Sequence, residues 1–163
     1  MTPLAADTAD RAPQPEEGGF RGSNQAGMRA HNERLVLSLV RQHGALAKSD
    51  IARISGLSAQ TVSVIMRGLE GDGLLLRGAP IRGRIGQPSV PMSLAADGAF
   101  FLGLKIGRRS ADLTLVDFTG QVRATRRNVY RYPTPDAVVA FVGAALPAVT
   151  AVLPEASRAR IGG

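Results

Sequence analysis

A short basic turn separates two apolar segments in the second half of the chain. Residues 101–106 and 111–118 are mainly apolar, and Gly107, Arg108 and Arg109 lie between them. A strand, a glycine turn and a second strand can present backbone N–H groups to a phosphate. The pattern therefore raises the possibility that the chain is a kinase.

The composition narrows the chemistry that the chain can perform. Cysteine is absent, which excludes disulfides and thiolate metal sites, and His31 and His43 are the only two histidines. A histidine-built zinc site needs more ligands than these two supply. We expect both histidines to be ordinary residues near helix ends, and we expect neither a metal nor a cofactor.

The charge is strongly basic and unevenly distributed. The formal net charge is +7, and the excess of Lys and Arg lies after residue 27, whereas residues 1–27 carry more acids than bases. Such a balance favours polyanionic partners, nucleic acid above all. No apolar run approaches the roughly 18 residues of a membrane span, and Asp7 and Asp10 lie where a signal peptide would be basic and then apolar. We expect a cytoplasmic protein with no membrane partner.

Composition and periodicity divide the chain into three parts. Residues 1–27 are rich in Pro, Gly and acids and poor in large apolar residues, which predicts a disordered tail. A polar turn at Ala95–Gly98 marks a second boundary. We therefore expect one domain over 28–95 and the beginning of another over 99–163.

The first of these domains has the pattern of three helices. In residues 28–43, Leu35, Val36, Leu39 and Val40 form one apolar stripe. A second, short helix is predicted from Lys48 to Gly56, with Ala47 in a position where a Ser would be a better cap.

A third helix follows the second after a very short turn. Ser58 is its predicted N-cap, and Val62, Ile65, Met66 and Leu69 fall on one side of it. Two helices joined by a "GLS" turn and preceded by a third are typical of a helix-turn-helix.

A hairpin-like segment follows the third helix. Apolar strands are predicted at Leu74–Leu76 and around Val90–Leu94, and the loop between them is rich in Gly, Pro and Arg. This is the pattern of a wing, which would lie along the DNA backbone or in a narrow minor groove. The wing candidates are Arg82, Gly83, Arg84 and Gln87.

The third helix would then enter the major groove. The candidates for recognition are the residues that its core does not use, namely Ser58, Ala59, Gln60, Thr61, Ser63, Val64 and Arg67. Gln60 can pair with adenine, Val64 can contact a thymine methyl group and Arg67 can reach a phosphate. The same pattern also fits a three-helix module that binds protein, in which these polar residues are only a solvated face.

The segment from Met28 to Leu75, with its "DIARISGLSAQTVS" core and "GDGLL" ending, resembles the N-terminal winged helix of the ROK family of repressors, open reading frames and sugar kinases. "FLGLKIGRRSADLTLVDFTGQV" resembles the first hairpin of the actin-like domain that follows it in that family. The resemblance covers roughly residues 23–130. It implies an α+β protein, with a winged helix-turn-helix of three helices plus a β-hairpin wing, followed by part of an actin-like, ribonuclease H-like α/β domain.

The resemblance also identifies a degenerate phosphate loop. Lys105 occupies the position of the family's loop Asp and Arg109 that of its Thr, whereas Gly107 is retained beside Arg108. A lysine cannot ligate magnesium, so we expect a polar hairpin turn and no catalytic residues. A ROK sugar kinase would have Asp at position 105 and no winged helix, so we do not expect an enzyme.

The resemblance implies a transcriptional regulator, most simply a repressor of sugar-related genes. It implies that the partners are a double-stranded DNA operator and a second copy of the chain, as a homodimer or higher homo-oligomer. A sugar or sugar derivative would be the effector, and the resemblance places its site beyond Gly163. We therefore expect either a fragment or a truncated gene. A winged helix used for protein assembly remains the alternative.

Overall fold

The computed structural model describes residues 20–81 and 89–162, with side chains from residue 25 onward. Three helices form the first part: α1, Phe20–His43; α2, Lys48–Ser55; and α3, Ala59–Gly71. The three predicted helices are therefore present. Gly56 ends α2 with a φ of 72°, a left-handed conformation that glycine adopts without strain.

The beginning of α1 differs from the predicted boundary of the tail. The helix begins at Phe20, so residues 20–27, which composition predicted to be disordered, form its first turns. Residues 25–30 are exposed along this extension. The composition of this segment provides no apolar stripe that could be buried. Such a segment can nevertheless continue a helix whose later turns pack on a core. Residues 1–19 lie outside the described residues.

A small antiparallel sheet completes the first part. Its strands are β1, Ala45–Leu46; β2, Leu75–Arg77; and β3, Met92–Leu94, in the order β1-β3-β2. The two strands of the predicted wing are confirmed as β2 and β3 within a residue or two. The additional strand β1 comes from the connection between α1 and α2, where only two residues pair with β3.

The helices and this sheet enclose the first hydrophobic core. Val36 and Val40 of α1, Ile51 of α2 and Val62 and Met66 of α3 are fully buried. Leu75 and Met92 add side chains from the sheet. The predicted apolar stripes of the three helices therefore meet one another, which leaves the opposite face of α3 in solvent.

The second part is a four-stranded sheet with one long helix on it. The strands are β4, Phe100–Ile106; β5, Ser110–Asp117; β6, Val122–Val129; and β7, Ile161–Gly162, in the order β6-β5-β4-β7. β4, β5 and β6 form an antiparallel meander, and β7 pairs in parallel with β4. The predicted hairpin and third strand are therefore present, and β7 is an addition.

Helix α4, Pro135–Thr150, packs on this sheet and is followed by the short helix α5, Glu155–Arg158. Thr134 caps α4 by accepting a hydrogen bond from the N–H of Ala137 at 3.3 Å. Ala145 and Val149 face a second core that contains Phe100. Within the described ranges, no helix has the length and apolar character needed to cross a membrane.

The first and second parts of the chain are joined by close contacts, which we call the junction. The N–H of Ala95 donates to the carbonyl of Leu74 at 2.9 Å. Gly98 lies so close to the α3–β2 turn that a Cβ on it would be 2.9 Å from the Gly73 carbonyl oxygen. Arg160, just before β7, donates to the carbonyl of Gly98 at 3.3 Å. The turn that follows α3 is therefore in direct contact with the turn that precedes β4.

Candidate nucleic-acid interface

The N-terminus of α3 is held by its cap. The Ser58 hydroxyl accepts from the N–H of Thr61 at 3.1 Å, and the two hydroxyls lie 2.8 Å apart. Ser58 thus satisfies one of the N–H groups that the first turn leaves unpaired. The predicted cap is present, and part of the hydrogen-bonding capacity of Thr61 is used inside the helix.

The predicted recognition residues fall on the face of α3 that points away from the core. Gln60 and Arg67 are exposed, and neither side chain has a hydrogen-bond partner among the described residues. Val64 is 54% exposed, so its methyl groups are available on this face. Ser58 and Ala59 are exposed as well, whereas Thr61 and Ser63 are half-buried. The structure thus gathers these residues along one side of the helix.

The predicted wing residues Arg82, Gly83, Arg84 and Gln87 lie outside the described residues. The residues on either side of them are paired, since Ile81 and Ser89 exchange backbone hydrogen bonds of 2.7 and 3.0 Å. Ile81 and Ser89, which flank the segment with the wing residues, are therefore held next to each other.

Several cations near α3 are neutralised by neighbouring acids. Arg29 pairs with Glu33 at 2.8 Å and Arg53 with Asp50 at 3.4 Å. Both are exposed pairs within single helices, which contribute little to stability.

A third pair ties α3 to the sheet. The carboxylate of Glu70 in α3 accepts two hydrogen bonds from Arg77 in β2. These bonds lower the pKa of Glu70. Within the described part of the chain, Lys48 and Arg67 make no ion pair.

Lys48 is a candidate that the sequence pattern did not indicate. It is the first residue of α2 and lines a cleft with Ser49, Arg77 and Ser89, between this helix and the base of the wing. The cleft exists because β1 pairs with β3, which brings the beginning of α2 to the wing. A two-residue strand has no periodicity that sequence could reveal.

The residues of the degenerate phosphate loop form a closed hairpin turn. The N–H of Gly107 donates to the carbonyl of Ser110 at 2.8 Å, and the Tyr130 hydroxyl donates to the carbonyl of Gly107 at 2.8 Å. Lys105 is paired in register with Asp112 on β5. The backbone polar groups of Gly107 are therefore used within the turn, and the exposed side chains of Arg108 and Arg109 are what the turn presents.

Comparison with known proteins places the first part in a class of DNA-binding folds. Residues 31–79 match the model of the MarR family. This range contains the second half of α1 and the whole of β1, α2, α3 and β2.

About three quarters of the chain has a counterpart among solved structures. It is similar to a ROK family transcriptional regulator that is described as a homolog of the E. coli MLC protein. The TM-score is 0.57 at 22% identity, over 76% of this chain and 32% of that one. The predicted resemblance to ROK regulators and the predicted α+β architecture are confirmed at the level of the fold.

A relative in sequence is the uncharacterized protein y4fQ of Sinorhizobium fredii (strain NBRC 101917 / NGR234). It is 28% identical over 122 residues, which are 75% of this chain and 31% of that protein. The chain thus spans about a third of the length of each of these two proteins.

Proposed function

We propose that this chain is the DNA-binding part of a transcriptional regulator. The observation that carries the proposal is the outer face of α3, where Gln60, Val64 and Arg67 are exposed on a winged helix of MarR type. A helix whose apolar side is packed and whose opposite side is polar and unpartnered fits the width of the major groove.

Each exposed side chain has a role on DNA that follows from its chemistry. The Gln60 amide offers a donor and an acceptor to the edge of adenine, and Val64 offers a methyl surface to thymine. The Arg67 guanidinium, two turns further along α3, contacts a phosphate. Ser58 and Thr61 hold the N-terminus in shape, and Ala59 and Ser63 line the same face.

The wing adds backbone or minor-groove contacts. Arg82 and Arg84 flank Gly83, and Gln87 follows, a composition that suits the narrow minor groove of A·T-rich DNA. We assign this loop to the DNA flanking the bases that α3 reads.

The remaining attributes follow from the resemblance to ROK regulators. We propose a cytoplasmic repressor of sugar-related genes, which acts as a homo-oligomer on an operator with two half-sites. We assign no enzymatic activity, since the hairpin turn at Gly107 carries Lys105 and Arg109 instead of residues that could organise magnesium and phosphate. A sugar or sugar derivative is the proposed effector of the complete regulator. We propose that the domains have the predicted limits of residues 28–95 and 99–163, except that the first begins with α1 at Phe20.

Fluorescence anisotropy with duplex DNA at increasing salt tests DNA binding. If the complex uses about six phosphate contacts, the slope of log K against log salt is about −5. Duplexes selected from a random library would provide the specific target. The double variant Gln60→Ala/Arg67→Ala should lose about 2–5 kcal/mol of binding to that target.

Gln42→Ala/Arg41→Ala is the matched control, because it removes the same two side-chain types from the exposed end of α1. It should bind the selected duplex about as well as the unaltered chain. A folded protein that binds no duplex even at low salt would overturn the proposal and favour a winged helix that assembles with protein.

A further inference from the structure

Six basic residues are gathered at the end of the second sheet that is opposite the junction. This basic tip consists of Lys105, Arg108, Arg109, Arg126, Arg127 and Arg131. The strand register places Lys105 and Arg127 on either side of Asp112 on one face of the sheet, whereas Arg126 lies beside Leu113 on the other face. The N–H of Tyr130 donates to the carbonyl of Arg109 at 3.0 Å, which places the end of β6 beside the turn.

Few carboxylates offset this charge. Asp112 is ion-paired with Arg127. The other acid at this end, among the described residues, is Asp136 in the first turn of α4. Five of the six side chains are exposed and make no ion pair in the described part of the chain, namely those of Lys105, Arg108, Arg109, Arg126 and Arg131. Clustered like charges repel one another, so this arrangement stabilises neither the sheet nor the turn.

The residue types at the tip and their exposure favour an extended polymer that carries phosphate groups as the partner. Five of the six cations are arginines, whose planar guanidinium groups donate paired hydrogen bonds to phosphate oxygens. All six side chains are exposed and surround the end of the sheet on both faces, whereas a small anion would need an enclosing pocket. Tyr132 and Val129, 66% and 74% exposed, add apolar surface beside them. Arginine with exposed aromatic surface is typical of nucleic-acid contacts.

The tip is remote from the end of α3. β4 runs from the junction at Phe100 to Ile106, and at about 3.3 Å per residue the strand separates the two places by about 20 Å. A phosphate contact at the tip is therefore separate from the contacts of α3.

We propose that the basic tip is a second DNA-binding surface, which contacts phosphates outside the segment read by α3. The inference rests on the proposed function, because DNA is chosen as the polyanion on the strength of the winged helix. The tip then adds affinity and salt dependence but no sequence preference.

Arg108→Ala/Arg109→Ala tests the tip, since it removes two guanidinium groups from an exposed turn. The control Arg34→Ala/Arg158→Ala removes two exposed arginines that make no ion pair in the described part of the chain and lie on α1 and α5. All proteins are measured by anisotropy on labelled duplexes of about 12 and about 40 base pairs, long enough in the second case to extend beyond one helix contact. Thermal melts establish that each variant is folded.

On the longer duplex, the tip variant should reduce the magnitude of the salt slope by about 2, with a loss of affinity of tenfold or more at low salt. On the shorter duplex it should bind like the control. A tip variant that matches the control on both duplexes would overturn the inference, while loss of binding by Gln60→Ala/Arg67→Ala would still support the proposed function. Failure of the unaltered chain to bind either duplex would overturn both.

Discussion

Asp117, at the end of β5, is a buried carboxylate whose charge is satisfied from several sides. One oxygen accepts from the N–H and the hydroxyl of Thr119, at 2.9 and 2.7 Å, and from the N–H of Gln121 at 3.0 Å. The other accepts from Arg123 at 2.8 Å. Burial by itself raises the pKa of Asp117, but the hydrogen bonds from Thr119, Arg123 and Gln121 outweigh it and lower the pKa below its usual range.

The lowered pKa predicts a stability that depends on pH. The folded state binds the proton of Asp117 more weakly than the unfolded state does, so the contribution is complete above the unfolded pKa of about 3.9 and is lost as the pH falls through the folded value. Asp117→Ala should lower the free energy of unfolding near pH 7 by about 3 kcal/mol. It should also flatten the fall in stability below about pH 4. Urea unfolding followed by circular dichroism across this pH range measures both effects.

Asp97→Asn is the control for Asp117, because Asp97 binds the same Arg123 at 2.7 Å but its side chain is 71% exposed. An exposed pair contributes at most about 1 kcal/mol. An equal decrease in the free energy of unfolding of both variants would show that the ion pair with Arg123 accounts for the stabilisation and that the burial of Asp117 adds nothing.

At this scale the sequence predicted the exposed face of α3 but not the network of Asp117. Val62, Ile65, Met66 and Leu69 recur with a helical period and pack in the core, so the remaining residues of α3 form the exposed face. The network depends on an aspartate whose side chain accepts from the turn two to four residues later, and "DFTGQ" carries that signal. Its burial, however, comes from the packing of β5 between β4 and β6, which the local pattern does not contain.

Among the elements, α3 depends on its cap because it is short and only one of its faces is packed. Ser58→Ala removes the acceptor for the N–H of Thr61 and should lower the free energy of unfolding by about 1 kcal/mol. Ser49→Ala, in the first turn of α2, is the control, since Ser49 makes no hydrogen bond among the described residues. Thermal unfolding of the two variants makes the comparison. Equal midpoints would show that α3 is held by its core face alone.

Helices and strands with a sustained apolar periodicity or clear turn residues could be predicted from the sequence. Strands that form only by pairing with a neighbouring strand could not. The three helices and the β4–β5–β6 meander have apolar patterns and turn residues of their own. β1 and β7 have two residues each and form only because β3 and β4 offer unpaired edges. The extension of α1 to Phe20 was missed for a related reason, because its sequence has no apolar stripe and the helix is stabilised by its later turns.

At the scale of the whole molecule, the two cores are connected through the contact of Gly98 with the α3–β2 turn. A Cβ on Gly98 would lie 2.9 Å from the Gly73 carbonyl oxygen and 3.2 Å from the Leu74 Cα. Both are backbone atoms, which cannot rotate away as a side chain would. The end of α3 and the beginning of β4 must therefore move apart if any larger residue replaces this glycine.

Gly98→Ala should lower the free energy of unfolding by about 1–3 kcal/mol, through overpacking. Because the displaced turn follows α3, the variant should also bind duplex DNA more weakly than the unaltered chain, although it keeps every proposed recognition residue. Gly103→Ala is the matched control: it lies in β4, a Cβ there meets nothing within 4 Å, and the substitution should leave stability the same or slightly higher. Urea unfolding and anisotropy on one duplex give both quantities. A Gly98→Ala protein that is destabilised but binds DNA normally would show that the junction holds the two parts together without orienting α3.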